Sequence, residues 1–165
     1  MSQEIERKWL VKGFPEGVDY LISYFIKQTY LIADDNEVRI RTAHPKGPSP
    51  YYTISPYKLT IKGPGTTSRQ EVEFELSEAQ YYEAMRFVDP NSQPIIKNYK
   101  KYYYNDHVIE VSQVDFEWFY AEVEFDNEED MKSYEFPWPE LLIKEVTEDP
   151  EYKMKNYWKR KNHIA

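Results

Sequence analysis

The stretch SRQEVEFEL, residues 68–76, alternates charged and apolar side chains. Its charged positions are Arg69, Glu71, Glu73 and Glu75, and its apolar positions are Val72, Phe74 and Leu76. Successive side chains of a β-strand point to opposite faces of a sheet, so a period of two predicts a strand over 69–76. One face of that strand is charged and the other is apolar.

The same alternation recurs along most of the chain. It predicts seven further strands, over residues 3–11, 28–33, 37–43, 57–62, 96–104, 107–114 and 119–125. Residues 16–25 fit either a short helix or a strand. Because the strands follow one another mostly without helices between them, the sequence predicts an α+β fold with a predominantly antiparallel sheet.

Three segments carry helical signals instead. Ser77 followed by Gln80 fits a capping box at the start of a helix that continues to Val88. Residues 127–134 have acidic side chains in what would be the first helical turn. Asp149 and Pro150 fit the first positions of a C-terminal helix that reaches about Arg160.

Length and composition exclude several classes of protein. With 165 residues, the chain is expected to form one domain over residues 1–165. Its 29 acidic and 21 basic residues give a net charge of −8, which disfavours broad nucleic-acid binding. The absence of cysteine excludes disulfides, thiolate catalysis and cysteine-ligated zinc. No apolar run is as long as a membrane span, and MSQEIERK is unlike a signal peptide, so a cytoplasmic protein is expected.

The charged faces of the predicted strands are balanced in sign. They carry eight acids, Glu4, Glu6, Glu71, Glu73, Glu75, Glu110, Glu122 and Glu124, and eight bases, Lys8, Arg39, Arg41, Lys58, Lys62, Arg69, Lys97 and Lys101. A solvated sheet face that pairs opposite charges across strands has this pattern. A closed barrel with a polar interior has it too, and eight strands is about the number that encloses one small ligand.

Clustered carboxylates and clustered cations together indicate a particular chemistry. Carboxylates suit a hard cation such as Mg²⁺ or Mn²⁺. Arginine and lysine suit phosphate oxygens. Side by side they describe a metal–polyphosphate site, in which catalysis is largely positioning and neutralisation of charge.

Several short motifs carry a resemblance to a known family. EIERK at 4–8 matches a Glu-x-Glu-x-Lys signature and is followed by QTYLI (28–32), VRIR (38–41), LTIKG (59–63), SRQEVEFEL (68–76), IEVS (109–112), AEVEF (121–125) and EVTEDPEY (145–152). In this ordered series the chain resembles the CYTH family, also called the triphosphate tunnel metalloenzymes, and especially its small bacterial inorganic tripolyphosphatases. The resemblance implies a closed eight-stranded antiparallel β-barrel, or tunnel, with a charged interior and helices packed outside.

The resemblance also implies roles for individual residues. The metal, Mg²⁺ or Mn²⁺, would be held by Glu4, Glu6, Glu122 and Glu124, with Glu73 as a further candidate. The phosphates would be held by Lys8, Arg39, Arg41, Lys62 and Arg69, joined by Lys97 and Lys101. Tyr30 matches a proposed proton acceptor and, with Lys8, is a candidate catalytic residue. An unshifted tyrosine pKa near 10 makes a poor base at pH 7, so Tyr30 equally fits a barrel-wall aromatic.

Two positions depart from the family pattern. Ser112 stands where relatives usually have an aspartate, and Asp115 could replace that acid only through a bulge or turn. The usual Lys-x-Arg-Tyr appears as IIKNYKKYYY, in which Lys97 keeps the lysine while Tyr99 or a neighbouring lysine replaces the arginine. Losing that arginine removes a bidentate contact to phosphate.

Three functions remain open at this point. The first is metal-dependent hydrolysis of a linear triphosphate, with inorganic tripolyphosphate as the preferred substrate. The departures motivate the second, a non-catalytic module that binds polyphosphate or a nucleotide, and adenylyl cyclase is the third. The basic C-terminal stretch fits a solvated helix face or a plug at one mouth of the tunnel, and the chain is compatible with a monomer or a homodimer.

Overall fold

The computed structural model describes residues 2–52 and 55–165. In this part of the chain there are nine strands: β1 (Ser2–Val11), β2 (Ile22–Ala33), β3 (Glu37–Pro45), β4 (Tyr57–Lys62), β5 (Ser68–Leu76), β6 (Ile95–Tyr104), β7 (His107–Val114), β8 (Trp118–Glu124) and β9 (Leu142–Glu145). The helices are α1 (Glu78–Met85), α2 (Glu128–Ser133) and α3 (Met154–Lys161), with a 3-10 turn at Pro150–Tyr152. None of these helices is long and apolar enough to cross a bilayer.

The first eight strands close into a barrel. Their order is β5-β4-β3-β2-β6-β7-β8-β1, and β1 returns to β5 through the pairs from Ser2↔Glu71 to Ile5↔Ser68. Every pairing of neighbours is antiparallel. The predicted α+β fold and its closed eight-stranded antiparallel barrel are therefore confirmed. The ninth strand lies outside the closed barrel and pairs only with β1.

The larger apolar core lies outside the barrel wall. Trp9 of β1 packs against Phe136 with ring centroids 5.2 Å apart, and Tyr102 of β6 packs against Trp138 at 5.7 Å. Val111 and its neighbours on β7 and β8 are fully buried in the same cluster. The segment that follows α2 thus covers the outer face of β1, β6, β7 and β8, as apolar burial requires.

A second core lies at one end of the barrel. Met154 and Trp158 of α3 pack against Tyr30, Ile95 and Val114, which come from three different strands. The rings of Tyr30 and Trp158 are 5.5 Å apart. The C-terminal helix therefore covers the end of the barrel at which β2 finishes and β6 begins.

The helical predictions are confirmed in position, with changed boundaries. Ser77 and Gln80 form the predicted capping box, and α1 ends at Met85 before the expected Val88. The second helix occupies most of 127–134. The C-terminal helix is not continuous, because Lys153 has extended backbone angles between the 3-10 turn and α3. In the undecided segment 16–25, residues 22–25 belong to β2, which begins at Ile22, and residues 16–21 lie in neither a helix nor a strand.

Candidate active site inside the barrel

Two connected polar cavities follow the barrel axis. The outer cavity has a volume of about 320 Å³ and is lined by side chains from all eight barrel strands. The inner cavity has a volume of about 50 Å³ and lies against the C-terminal segment. Six residues line both cavities and so mark the junction between them: Glu6, Arg39, Lys62, Lys97, Tyr120 and Glu122.

The C-terminal segment forms the covered end of the inner cavity. Lys8 of β1 donates a hydrogen bond from Nζ to the carbonyl oxygen of Tyr152, at 2.7 Å, and Lys8 N–H donates to Thr147 Oγ1 at 2.9 Å. Lys153 lines the cavity and donates to the carbonyl oxygen of Gly65. Residues 146–154 therefore close this end, and Lys153 adds a cation, in line with the second of the two interpretations of the basic C-terminal stretch, a plug at one mouth of the tunnel.

The remaining basic residues of the C-terminus point elsewhere. Lys155 donates to the carbonyl oxygen of Asp34, and Arg160 donates to the carbonyl oxygen of Glu151. Lys161 pairs with Asp115 at 2.9 Å. Lys155 and Lys161 thus fix the helix to the barrel and Arg160 fixes it to the preceding 3-10 turn, whereas Lys153 reaches the cavity.

All thirteen residues that the sequence singled out line one or both cavities. They are Glu4, Glu6, Lys8, Tyr30, Arg39, Arg41, Lys62, Arg69, Glu73, Lys97, Lys101, Glu122 and Glu124. The register brings them together because each lies at the inward parity of its strand. Lys8 faces Glu122 across β1 and β8, and Glu4 faces Arg69 across β1 and β5.

The carboxyl groups of Glu4, Glu6, Glu122 and Glu124 lie close together in the lining of the cavities. Burial and the nearby charge of Glu122 raise the pKa of Glu6 well above its usual value, and Glu6 hydrogen-bonds Glu4. Burial would also raise the pKa of Glu122, but the cations Lys8 and Lys62 bring it down to about 2. Burial, with Glu4 and Glu110 nearby, raises the pKa of Glu124 to about 7.

These carboxyl groups fit a hard divalent cation by their donor chemistry. In residues 2–52 and 55–165 no three or more acids or histidines are yet arranged to hold a metal ion. Glu6 nevertheless hydrogen-bonds both Glu4 and Glu122, which requires a proton between acids. A divalent cation that displaced that proton would find only oxygen ligands, as Mg²⁺ and Mn²⁺ prefer. The side chains would have to rearrange around it.

Two arginines present unused donors to the barrel interior. Among the described residues, the buried Nε atoms of Arg39 and Arg41 have no hydrogen-bond partner. Buried N–H groups of this kind are rare and call for an explanation, such as an absent ion. Lys97 is also buried, and its pKa falls well below the usual value because of burial and the charge of Arg39. An anion at this place would satisfy the arginines and relieve the repulsion.

Several cations of the two cavities already have acidic partners. Lys62 Nζ lies 3.2 Å from Glu4, and Arg69 Nε lies 3.3 Å from the same carboxylate. Arg69 also reaches Glu37 at 3.4 Å through Nη1. The pattern continues nearer the open end, where Glu73 lies 3.2 Å from Lys58 Nζ and 3.6 Å from Arg41 Nη2.

Tyr30 lies in the inner cavity and is almost fully buried. Burial and the charge of Glu37 raise its pKa above the usual value near 10. The phenol is therefore protonated at neutral pH and can donate a hydrogen bond. Its role as a proton acceptor stays a prediction, which a raised pKa does not favour.

The positions that depart from the family pattern face the cavity with hydroxyl groups. Ser112 is buried opposite Tyr120 on the neighbouring strand, and the two hydroxyls are hydrogen-bonded. Tyr99 lines the outer cavity and hydrogen-bonds Glu110. Asp115 lies in the turn after β7 and accepts hydrogen bonds from Tyr157 and Lys161, so it does not replace an acid at position 112.

Some cavity residues were absent from the predicted site. Those with a signal in the sequence are Glu37, Lys58, Glu71 and Glu110, which share the parity of the chosen residues. Tyr120 precedes Glu122 at the same parity. Lys153 belongs to the basic C-terminal stretch for which a plug was left open, but its approach to the barrel depends on the path of the C-terminal segment.

The barrel is of the kind that can hold an extended polyanion beside acidic side chains. No family model matches the chain, and no curated protein does. Among solved structures, the inorganic triphosphatase NE1496 is 27% identical, with a TM-score of 0.61 and 95% of each chain covered. A second structure of NE1496 has 28% identity and a TM-score of 0.60, over 93% of this chain and 96% of that one.

A more distant structure shares the fold alone. The PH1819 protein from Pyrococcus horikoshii OT3 is 20% identical, with a TM-score of 0.57, over 78% of this chain and 82% of that chain. The similarity to NE1496 extends over nearly the whole of both chains. The resemblance to the triphosphate tunnel metalloenzymes is thereby confirmed.

Proposed function

We propose that this protein hydrolyses a linear triphosphate inside its barrel, with inorganic tripolyphosphate as the preferred substrate and Mg²⁺ or Mn²⁺ as the metal. The observation that carries the proposal is the pair of arginines, Arg39 and Arg41, whose buried Nε donors are unused, beside a cluster of acids that line the same cavities. The whole-length similarity to an inorganic triphosphatase supports the same reaction.

The chain's cations would bind and orient the phosphates. Arg39 and Arg41 lie two residues apart on β3, so their guanidinium groups can contact successive phosphates along the axis. Lys97 and Lys101 on β6 would add charge from the opposite side of β2. Because catalysis of phosphoryl transfer is mostly positioning and neutralisation of charge, such a channel is suited to the reaction.

The acids on β1 and β8 would hold the divalent cation. Glu4, Glu6, Glu122 and Glu124 are the proposed ligands, with Glu73 at the edge of the group. A bound divalent cation neutralises phosphate charge and lowers the pKa of water. The neighbouring Lys8 would contact phosphate, as it lies between the acids and the covered end.

The shape of the cavities favours a small terminal group at the inner end. The inner cavity holds about 50 Å³ beside Tyr30, whereas the outer cavity holds about 320 Å³. A terminal phosphate fits the inner end, and any organic group would lie toward the outer one. With its raised pKa, Tyr30 would donate a hydrogen bond to a phosphate oxygen.

The proposal is tested by phosphate release from tripolyphosphate, ATP and thiamine triphosphate, each with Mg²⁺ and with Mn²⁺. Glu6→Gln serves as the blank. Glu75→Gln serves as the matched control, because Glu75 lines neither cavity. Fast release from tripolyphosphate that disappears only in Glu6→Gln is the expected result. Full activity in Glu6→Gln would refute the metal assignment.

A second function has one specific observation in its favour. Ser112 presents a hydroxyl, hydrogen-bonded to Tyr120, where an anionic ligand would otherwise face the cavity. A barrel with fewer acids could bind polyphosphate without hydrolysing it. Tight binding by calorimetry together with no release of phosphate would favour this binding module, and cyclic AMP formed from ATP would favour an adenylyl cyclase.

A further inference from the structure

Two acids of the barrel pair with cations, and three of these cations, Arg41, Lys62 and Arg69, are candidate ligands of phosphate. Glu4 contacts Lys62 and Arg69 at 3.2 and 3.3 Å. Glu73 contacts Lys58 and Arg41 at 3.2 and 3.6 Å. Both acids are also proposed ligands of the divalent cation. An acid that pairs with a lysine or arginine is therefore not free to bind the divalent cation, and that lysine or arginine is not free to bind phosphate.

We infer that the divalent cation and the triphosphate bind in the barrel with positive coupling, because each ligand releases the groups that bind the other. This inference rests on the proposed function. A phosphate that takes Arg41 leaves Glu73 with less positive charge, which favours a cation. A cation that takes Glu73 frees Arg41 for phosphate. Such coupling is reciprocal, so each ligand changes the affinity of the other by the same factor.

The more deeply buried of the two ion-pair groups is that of Glu4 with Lys62 and Arg69. Its burial requires that each charged side chain exchange its protein partner for a ligand. The side chains of Glu4 and Lys62 are only 7% and 8% exposed. Removing one partner of a buried ion pair leaves an uncompensated charge in the interior, which is strongly unfavourable. An anion that bound alone to Lys62 would leave the charge of Glu4 uncompensated. A cation that bound alone to Glu4 would leave the charge of Lys62 uncompensated. Binding both together avoids it.

The outer group is suited to an experiment because substitution there disturbs the fold least. The side chain of Glu73 is 33% exposed and lies near the open end of the barrel. Glu73→Gln removes the negative charge and keeps the shape. It leaves Arg41 and Lys58 without that counterion while the inner acids remain.

The measurement is the dissociation constant of tripolyphosphate by titration calorimetry, in EDTA and without metal. We expect Glu73→Gln to bind about tenfold tighter than the unsubstituted protein, which corresponds to about 1.4 kcal/mol. A carboxylate that acted only as a metal ligand would leave this metal-free affinity unchanged. One that only supported the barrel would weaken it when removed.

The matched control is Glu75→Gln, on the same strand and with the same change in charge. Glu75 lines neither cavity and forms no ion pair within the described part of the chain. A general electrostatic effect would tighten binding equally in both variants. The exchange of partners predicts tightening in Glu73→Gln and a change of less than twofold in Glu75→Gln.

The reciprocal measurement uses the metal alone. Arg41→Gln removes a counterion from Glu73, so Mn²⁺, followed by electron paramagnetic resonance of the free ion, should bind several-fold tighter than to the unsubstituted protein. This variant keeps the inference testable even if Glu73→Gln does not fold. Unchanged or weaker Mn²⁺ binding would contradict the coupling.

The outcomes separate this inference from the proposed function. If the unsubstituted protein binds and hydrolyses tripolyphosphate but Glu73→Gln binds no tighter than Glu75→Gln, the coupling is wrong and the function stands. If tripolyphosphate neither binds nor is hydrolysed with or without metal, the proposed function fails and the coupling fails with it.

Discussion

Asp115 ties the C-terminal helix to the barrel wall. Its Oδ2 atom accepts hydrogen bonds from the hydroxyl of Tyr157 at 2.6 Å and from Lys161 Nζ at 2.9 Å. Its Oδ1 atom accepts from the Ile96 N–H at 2.9 Å. Since the segment before this helix closes the inner cavity, Asp115→Asn tests how strongly that closure is held.

The size of the effect follows from which bonds the amide can keep. The amide oxygen can still accept from Ile96, but the amide nitrogen faces the ammonium of Lys161, which has no acceptor. Hydrogen bonds to charged groups contribute about 1.5–3 kcal/mol each. Losing the bond to Lys161 and weakening the one to Tyr157 should lower the free energy of unfolding by about 2–3 kcal/mol. For a chain of this size that lowers Tm by roughly 5–10 °C.

Backbone conformation does not confuse this test. Asp115 has a φ of 49°, in the left-handed region that asparagine tolerates at least as well as aspartate. Asp106→Asn is the matched control, because Asp106 has a φ of 63° and its side chain, in the part of the chain that the structure describes, accepts one hydrogen bond, from the exposed Tyr103 at 3.3 Å. Both variants would be compared by urea and thermal unfolding. A loss of unfolding free energy in Asp115→Asn below about 0.5 kcal/mol, or equal to that of the control, would show that Asp115 does not hold the helix to the barrel.

The stability difference between the unsubstituted protein and Asp115→Asn should also depend on pH. Burial by itself would raise the pKa of Asp115, but hydrogen bonds from Tyr157, Ile96 and Lys161 hold that pKa below its usual value. The stabilisation is therefore fully present above the unfolded pKa of about 3.9 and is lost as the pH falls through the folded pKa. The difference between the two proteins should be complete at pH 7 and shrink in acid. A difference that grew on acidification would contradict the assignment.

Three further predictions concern other parts of the molecule. Arg41→Lys keeps the charge but removes the unused Nε donor, so kcat/KM for tripolyphosphate should fall about tenfold, and an unchanged value would argue against phosphate contact. Trp158→Ala removes the ring packed 5.5 Å from Tyr30 and should lower the free energy of unfolding by about 3–5 kcal/mol in urea titrations. Burial by itself would lower the pKa of His107, but hydrogen bonds to Asp130 and to a backbone carbonyl raise it above its usual value. Its stabilisation is therefore present below the unfolded pKa and is lost as pH rises through the folded one, so His107→Gln should destabilise more at pH 5 than at pH 9.

The strands with a charged inner face were predictable because their two sides differ in polarity. β5 shows this most clearly, since Glu71 and Glu73 face the cavity while Val72 and Phe74 face out. The first half of β2 was undecided for the opposite reason. Tyr24 and the other inward residues there are apolar, as they form a buried cluster with Tyr99, so the strand has little alternation to detect.

Short and non-local features account for what the sequence did not predict. β9 spans only Leu142–Glu145, and all four residues are exposed, so neither length nor burial marks it. The basic C-terminal stretch allowed a plug, but which of its residues contacts the inner cavity depends on where residues 146–154 cross the barrel end, and there it is Lys153. Glu37 could have been chosen, because it shares its parity with Arg39 and Arg41, but it is the first residue of its strand.

The most direct test of the barrel as the active site is a crystal structure of Glu6→Gln soaked with tripolyphosphate and Mg²⁺. We expect the triphosphate to lie along the barrel axis, with phosphate oxygens on the Nε atoms of Arg39 and Arg41 and its terminal phosphate near Tyr30. A triphosphate bound only on the outer surface, or a barrel in which both arginines keep their Nε donors unused, would contradict it.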